Sequence, residues 1–148
     1  MRITIRPLFL AIAATVFGAA APATARAQEV RVVVNAANPQ TSIAHDEVAR
    51  LFLKKVTNWK SGKPVTPVDQ PEGSAVRATF CRQLLGKDIA AVKAYWQQAI
   101  FTGRGSPPPQ KASDDEVLAF VAANPNAVGY VSGGATLPAG VKAVTIEN

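Results

Sequence analysis

Beyond residue 28, short runs of β-branched residues alternate with stretches of helical period, and this alternation narrows the fold more than anything else in the chain. Val30, Val32 and Val34, with Arg31 and Val33 between them, predict a strand that ends at Asn35 and the Asn38-Pro39 turn. Val48, Leu51, Phe52 and Lys55 then recur at helical spacing from about Ala44. Asp46 and Glu47 in the first turn and Lys54 and Lys55 in the last suit the helix macrodipole. Pro64 to Asp69 reads as a short extended segment whose two prolines place it at a sheet edge. Val76, Phe80, Leu84 and Leu85 stripe a helix from Ala75 that stops at Gly86, and Ile89, Val92, Tyr95, Trp96 and Ala99 stripe another from Asp88.

Thr102 to Ala112, with Gly103, Gly105 and prolines at 107, 108 and 109, predicts a long irregular or polyproline-like loop. Ser113-Asp114-Asp115-Glu116 is a capping-box signal for a helix that stops at Asn124-Pro125. Ala127 to Val131 reads as a buried strand, Gly133-Gly134 as a turn and Val141 to Ile146 as a last strand. Strands separated by helices predict an α/β fold with a mixed β-sheet flanked by helices. Such folds hold ligands in the loops between strand ends and helix starts, here 35–44, 69–75 and 105–114.

Residues 1–27 carry Arg2 and Arg6, an apolar run from Leu8 to Ala21, and small residues up to Ala27. This is the pattern of a secretory signal peptide, and the run is shorter than the roughly 20 residues that span a bilayer. A periplasmic or secreted location follows, with residues 28–148 as a single α/β domain. The full chain of 148 residues has a formal charge of +6, with 16 basic and 10 acidic residues. Cleavage after Ala27 removes Arg2, Arg6 and Arg26 and leaves 13 basic residues against the same 10 acidic ones. The rest are scattered and not interleaved with aromatics, so a nucleic-acid partner is not expected. Cys81, the single cysteine, falls in a helical stretch and reads as a buried apolar side chain.

The junction richest in chemistry is Glu72-Gly73-Ser74-Ala75-Val76-Arg77. With Ser74 as N-cap, the free amides of Ala75, Val76 and Arg77 mark a helix start that attracts anions, and Gly73 lets a ligand approach the backbone. Arg77 in the first turn opposes the macrodipole by roughly 0.3–1 kcal/mol unless something negative is near. Two readings fit these residue types: Ser74 merely caps and Arg77 pairs with Asp69 or Glu72, or the junction binds an oxyanion. Gly103-Arg104-Gly105-Ser106 resembles a phosphate-cradling fragment, but the following prolines remove the amides such a loop needs. Catalysis finds no support. His45, the single histidine, has no metal-spaced or triad partner, and no nucleophile-elbow, Cys-His or phosphate-loop motif is present. Trp59 and Trp96 read as core or rim aromatics. No metal and no cofactor are expected.

Four stretches together resemble the periplasmic phosphate-binding proteins of ABC-type uptake systems. They are Val33-Val34-Asn35 with Asn38-Pro39, Val48 through Trp59, Glu72 through Arg77, and Asn126 through Val131, in the family's order. The resemblance implies a single lobe of a type II periplasmic-binding-protein-like fold and a non-enzymatic solute-binding protein for phosphate or a related oxyanion. Phosphate uptake or sensing through an ABC permease or a membrane sensor is the implied process. It assigns the Gly73, Ser74 and Ala75 amides, the Ser74 hydroxyl and the Arg77 guanidinium to the anion. Ala75 stands where the family has its second glycine, and Val76 replaces a threonine hydroxyl. Full-sized members resemble a clamshell of two lobes, so a site on one lobe needs self-association or a partner to complete it. The alternative is an envelope protein-interaction module that has lost the small ligand, with the 105–111 loop and exposed aromatics as its contact surface.

Overall fold

The computed structural model describes residues 29–148; the expected export signal at 1–27 lies outside them. The strands are β1 (Val30–Asn35), β2 (Ser42–Ala44), β3 (Thr66–Pro67), β4 (Ala127–Ser132), β5 (Val141–Ala143) and β6 (Thr145–Glu147). The helices are α1 (His45–Phe52), α2 (Ala75–Phe80), α3 (Ile89–Phe101) and α4 (Asp114–Ala123). Four strands form one sheet in the order β3-β4-β1-β5, and β2 pairs with β6 in a separate parallel ribbon. Central β1 runs antiparallel to β4, with Val30 opposite Ser132 and Val34 opposite Val128, and antiparallel to β5. β3 runs parallel to β4, so the sheet is mixed as the sequence predicts, and the proline-containing β3 lies at its edge.

Both faces of this sheet are covered, which explains the unbroken valine run in β1. Val32 and Val34, with Val128 and Tyr130, face a cluster built from Val48, Leu51 and Phe52 of α1 and Phe80 of α2. Val33, Ala127 and Val131 face the opposite way and pack with Val117, Leu118 and Val121 of α4. On the first face Phe80 stacks on Tyr130 with ring centroids 3.8 Å apart, and Phe52 meets both rings edge-on. On the second, a Cβ at Gly129 would stand 2.8 Å from methyl carbons of both Val117 and Val68, so α4 and the residue after β3 close on β4 only because that position lacks a side chain.

The helix polarity read from sequence needs one correction. α1 stops at Phe52, and Lys54 and Lys55 lie beyond it: Lys54 adopts a left-handed φ of 53°, and the Lys55 amide turns back to the Arg50 carbonyl at 2.8 Å. α2 continues without a break into a π-helical turn, Cys81–Leu85, and ends at left-handed Gly86 (φ 63°) as expected. The predicted last strand divides at Val144 into β5 in the main sheet and β6 in the ribbon. Cys81, Trp59 and Trp96 are buried. Among the described residues no helix is long and apolar enough to cross a membrane.

The three loops singled out from the sequence do not converge. Because β1 runs against β3 and β4, Asn35 and the loop after it lie at the far end of the sheet. There the Asn35 amide caps the end of α4 by donating to the Val121 carbonyl (2.9 Å) and the Ala122 carbonyl (3.0 Å). The other two loops do meet: the Asp69 amide donates to the Pro109 carbonyl and the Lys111 amide to the Asp69 carbonyl, each at 2.9 Å.

Candidate functional site

Where these two loops join, the ends of β3 and β4 and the starts of α2 and α4 bring together a cluster of polar side chains. Asp69, 8% exposed, follows β3; its Oδ1 accepts from the Tyr130 hydroxyl and, at 2.8 Å, from the Gln70 amide. Its Oδ2 lies 3.4 Å from Nη2 of Arg77. Arg77 is 3% exposed, and its Nη1 donates to the Gln70 carbonyl at 2.7 Å, while its buried Nε has no hydrogen-bond partner. Gln70 fills the centre. Its Nε2 donates to Asp114 Oδ1 (2.9 Å) and to the Tyr130 carbonyl (3.1 Å), and its Oε1 accepts from the Ser74 hydroxyl (2.7 Å).

Ser74 is the N-cap foreseen from the sequence, and its Oγ accepts from the Arg77 amide at 3.2 Å. Of the three amides expected to be free, that of Arg77 is therefore used. Those of Ala75 and Val76 belong to the first turn, where no intrahelical acceptor exists. Gly73 and Ala75 are exposed, Ser74 is half-buried, and Arg77 lies beneath them. The structure thus brings the four residues to one helix start but turns the guanidinium inward. Its acidic neighbour is Asp69, not Glu72, which instead meets Lys93 at the surface at 3.5 Å.

Burial, reinforced by Asp69, pushes the Tyr130 phenol pKa far above its ordinary value, so this hydroxyl stays a donor to the carboxylate. Burial first, then Asp69, also raises the Cys81 thiol, which removes it as a thiolate nucleophile. His45 Nε2 lies 2.8 Å from the Gln83 carbonyl, away from this cluster. Among the described residues no group of three or more His, Cys, Asp or Glu side chains is placed to hold a metal ion.

Sequence reasoning missed Gln70, Asp114, Tyr130 and Ser132 as members. Asp114 reads as part of a capping box, and Ser113 does cap Glu116 (3.2 Å) while Glu116 reaches back to the Ala112 amide (2.9 Å). The Asp114 carboxylate faces the other way, accepting from the Ser132 hydroxyl at 2.5 Å and from Gln70. No spacing in the chain signals this, because the partners come from three separate elements.

A family model for a PBP superfamily domain matches residues 26–146 of the chain. Among solved structures, an ABC-type phosphate transport receptor from Vibrio cholerae is similar, with 24% identity over 82% of this chain and 47% of that one and a TM-score of 0.62. PstS from Borrelia burgdorferi is 13% identical over 82% of this chain and 48% of its own, with a TM-score of 0.62. A Clostridium perfringens structure with bound phosphate is 20% identical over 80% of this chain and 45% of its own, with a TM-score of 0.60. The chain therefore spans less than half the length of these proteins. No protein of curated function matches it.

Proposed function

Since the chain belongs to the PBP superfamily, we propose that it is an exported, non-enzymatic solute-binding protein that takes phosphate or a related oxyanion at the start of α2. The observation that carries this reading is a helix start whose Gly73 and Ala75 are exposed, whose Ala75 and Val76 amides have no intrahelical acceptor, and whose first turn also holds the buried Arg77 guanidinium. The helix start supplies oriented N–H groups and a positive potential, while the Arg77 charge is balanced by Asp69 and acts on the anion through its hydrogen-bonding fork. Gly73 keeps the approach open, and the Ser74 hydroxyl exchanges its Gln70 acceptor for an anion oxygen. Such a site, open on one side, competes with water, so a second copy of the chain or a membrane partner covers it in use. Phosphate uptake or sensing through an ABC permease or a membrane sensor is the process this fits. The phosphate-bound Clostridium perfringens relative and the phosphate transport receptor from Vibrio cholerae support the choice of ligand.

Calorimetric titration with phosphate and with sulfate tests the site. Binding weakens at least about tenfold, or about 1.4 kcal/mol, in Ser74→Ala and in Arg77→Lys, which keeps the charge but loses the planar fork. Near-UV circular dichroism establishes that each variant is folded. Unchanged affinity in both removes the assignment. A second reading, a protein-interaction module without a small ligand, is favoured by one observation: Gln70 already occupies the Ser74 hydroxyl and the Arg77 guanidinium. A wild-type protein that binds neither anion would select it.

A further inference from the structure

Away from the oxyanion cluster, a cleft of about 180 Å³ opens between the end of α1 and the last turns of α3. Its apolar walls are Leu53, Tyr95, Trp96 and Ala99, and its polar rim includes Lys54 and Arg104. The walls are held in place: the Tyr95 hydroxyl donates to the Leu53 carbonyl at 2.7 Å, and the Tyr95 and Trp96 rings meet edge-on at 5.0 Å. In the last turn of α3, Ile100, four residues after Trp96 of the cleft lining, is 57% exposed and Phe101, three after Gln98 of that lining, is 89% exposed, and they are the exposed large apolar side chains of the described chain. A phenyl ring left almost wholly in water next to a preformed aromatic cleft marks a contact surface rather than a core.

The charge around this surface has one sign. No acidic side chain lines the cleft. Among the described residues the cations that pair with a carboxylate are Arg50, Lys60, Arg77 and Lys93, so Lys54, Lys55 and Arg104, like the other Lys and Arg side chains, have none within ion-pair distance. Lys55 instead lies 5.8 Å from the Tyr95 ring centroid. Lys54 and Arg104 at a partly apolar cleft without an acidic lining residue, and Lys55 near the Tyr95 ring, complement a segment that carries carboxylates beside an aliphatic or aromatic side chain.

We propose that this cleft docks an acidic peptide segment of a partner protein, one apolar side chain entering between Leu53 and Trp96 while flanking carboxylates meet Lys54, Lys55 and Arg104. Phe101 packs over the bound segment. The cleft is independent of the α2 site, so the two readings stand or fall separately.

Selection of a phage-displayed random heptapeptide library on the immobilised protein tests the proposal. The expected result is enrichment of Asp or Glu next to Leu, Ile, Phe or Trp. Fluorescence anisotropy of a synthetic copy then shows at least tenfold weaker binding to Arg104→Glu and to Phe101→Ser. Both residues are exposed, and circular dichroism verifies that the variants stay folded. Failure to enrich, enrichment of basic peptides, or equal binding by both variants overturns it. So does Phe101-dependent binding to phosphatidylglycerol vesicles without peptide binding, which would make the surface a membrane contact.

Discussion

Arg77 sits where the macrodipole disfavours a cation, and the chain resolves the conflict with Asp69 rather than leaving the charge to solvent. A buried pair of this kind is costly to break from one side. Arg77→Ala is expected to lower unfolding free energy by about 3 kcal/mol, because Asp69 keeps only Tyr130 and the Gln70 amide. Urea denaturation measures it, and Asp69→Asn added to Arg77→Ala should recover part of the loss. Tyr130 gives a pH signature. Its folded pKa is raised, so the unfolded chain releases the proton first; stability is full below the unfolded value near 10 and falls above it, at up to about 1.4 kcal/mol per pH unit. Tyr130→Phe should be less stable near neutrality yet lose less than wild type as pH rises, as measured by denaturation between neutral and alkaline buffers. The sequence made the local conflict at Arg77 visible and named Asp69 as one of two resolutions. Gln70 was hidden because its three partners, Ser74, Asp114 and Tyr130, are joined only by the tertiary fold.

At the level of elements, Gly129 is the point at which β4, α4 and the Val68 segment meet. Gly129→Ala would drive a methyl group against Val117 and Val68, and the expected cost is about 1–3 kcal/mol by thermal or urea unfolding. Long elements with a cap at one end and a clear period were legible: α4 behind Ser113, α3 behind Asp88 and the run into Gly86. Elements whose conformation comes from contact were not. β2 exists because its three residues pair with β6, and the π turn at Cys81–Leu85 carries on the stripe of the helix before it without a break. The left-handed Lys54 gives no signal either, since that conformation usually calls for glycine. β1 reads correctly as a strand, but its alternation is illusory, because both faces are covered and Val32, Val33 and Val34 are all buried.

At the scale of the molecule, the half-length span against its relatives makes the covering of the proposed α2 site the central question. If residues 28–148 are a complete folding unit, the chain produced without 1–27 unfolds in one step, with tryptophan fluorescence and far-UV circular dichroism giving coincident transitions. Separate transitions would show two units. Export should yield a product that begins at Gln28, which N-terminal sequencing checks; an unprocessed product would return the first 27 residues to the mature chain. The borders of the main sheet bear on how a second copy could approach. β3 contributes two residues, one of them a proline without an N–H, and β5 contributes three. Strands this short offer almost no ladder for a neighbouring chain to extend, so the main sheet is guarded against edge-to-edge pairing. On the proposed reading, two copies that complete one anion site would meet through helix starts and side chains rather than strand edges of the main sheet, an encounter reversed by dilution and tuned by the ligand itself.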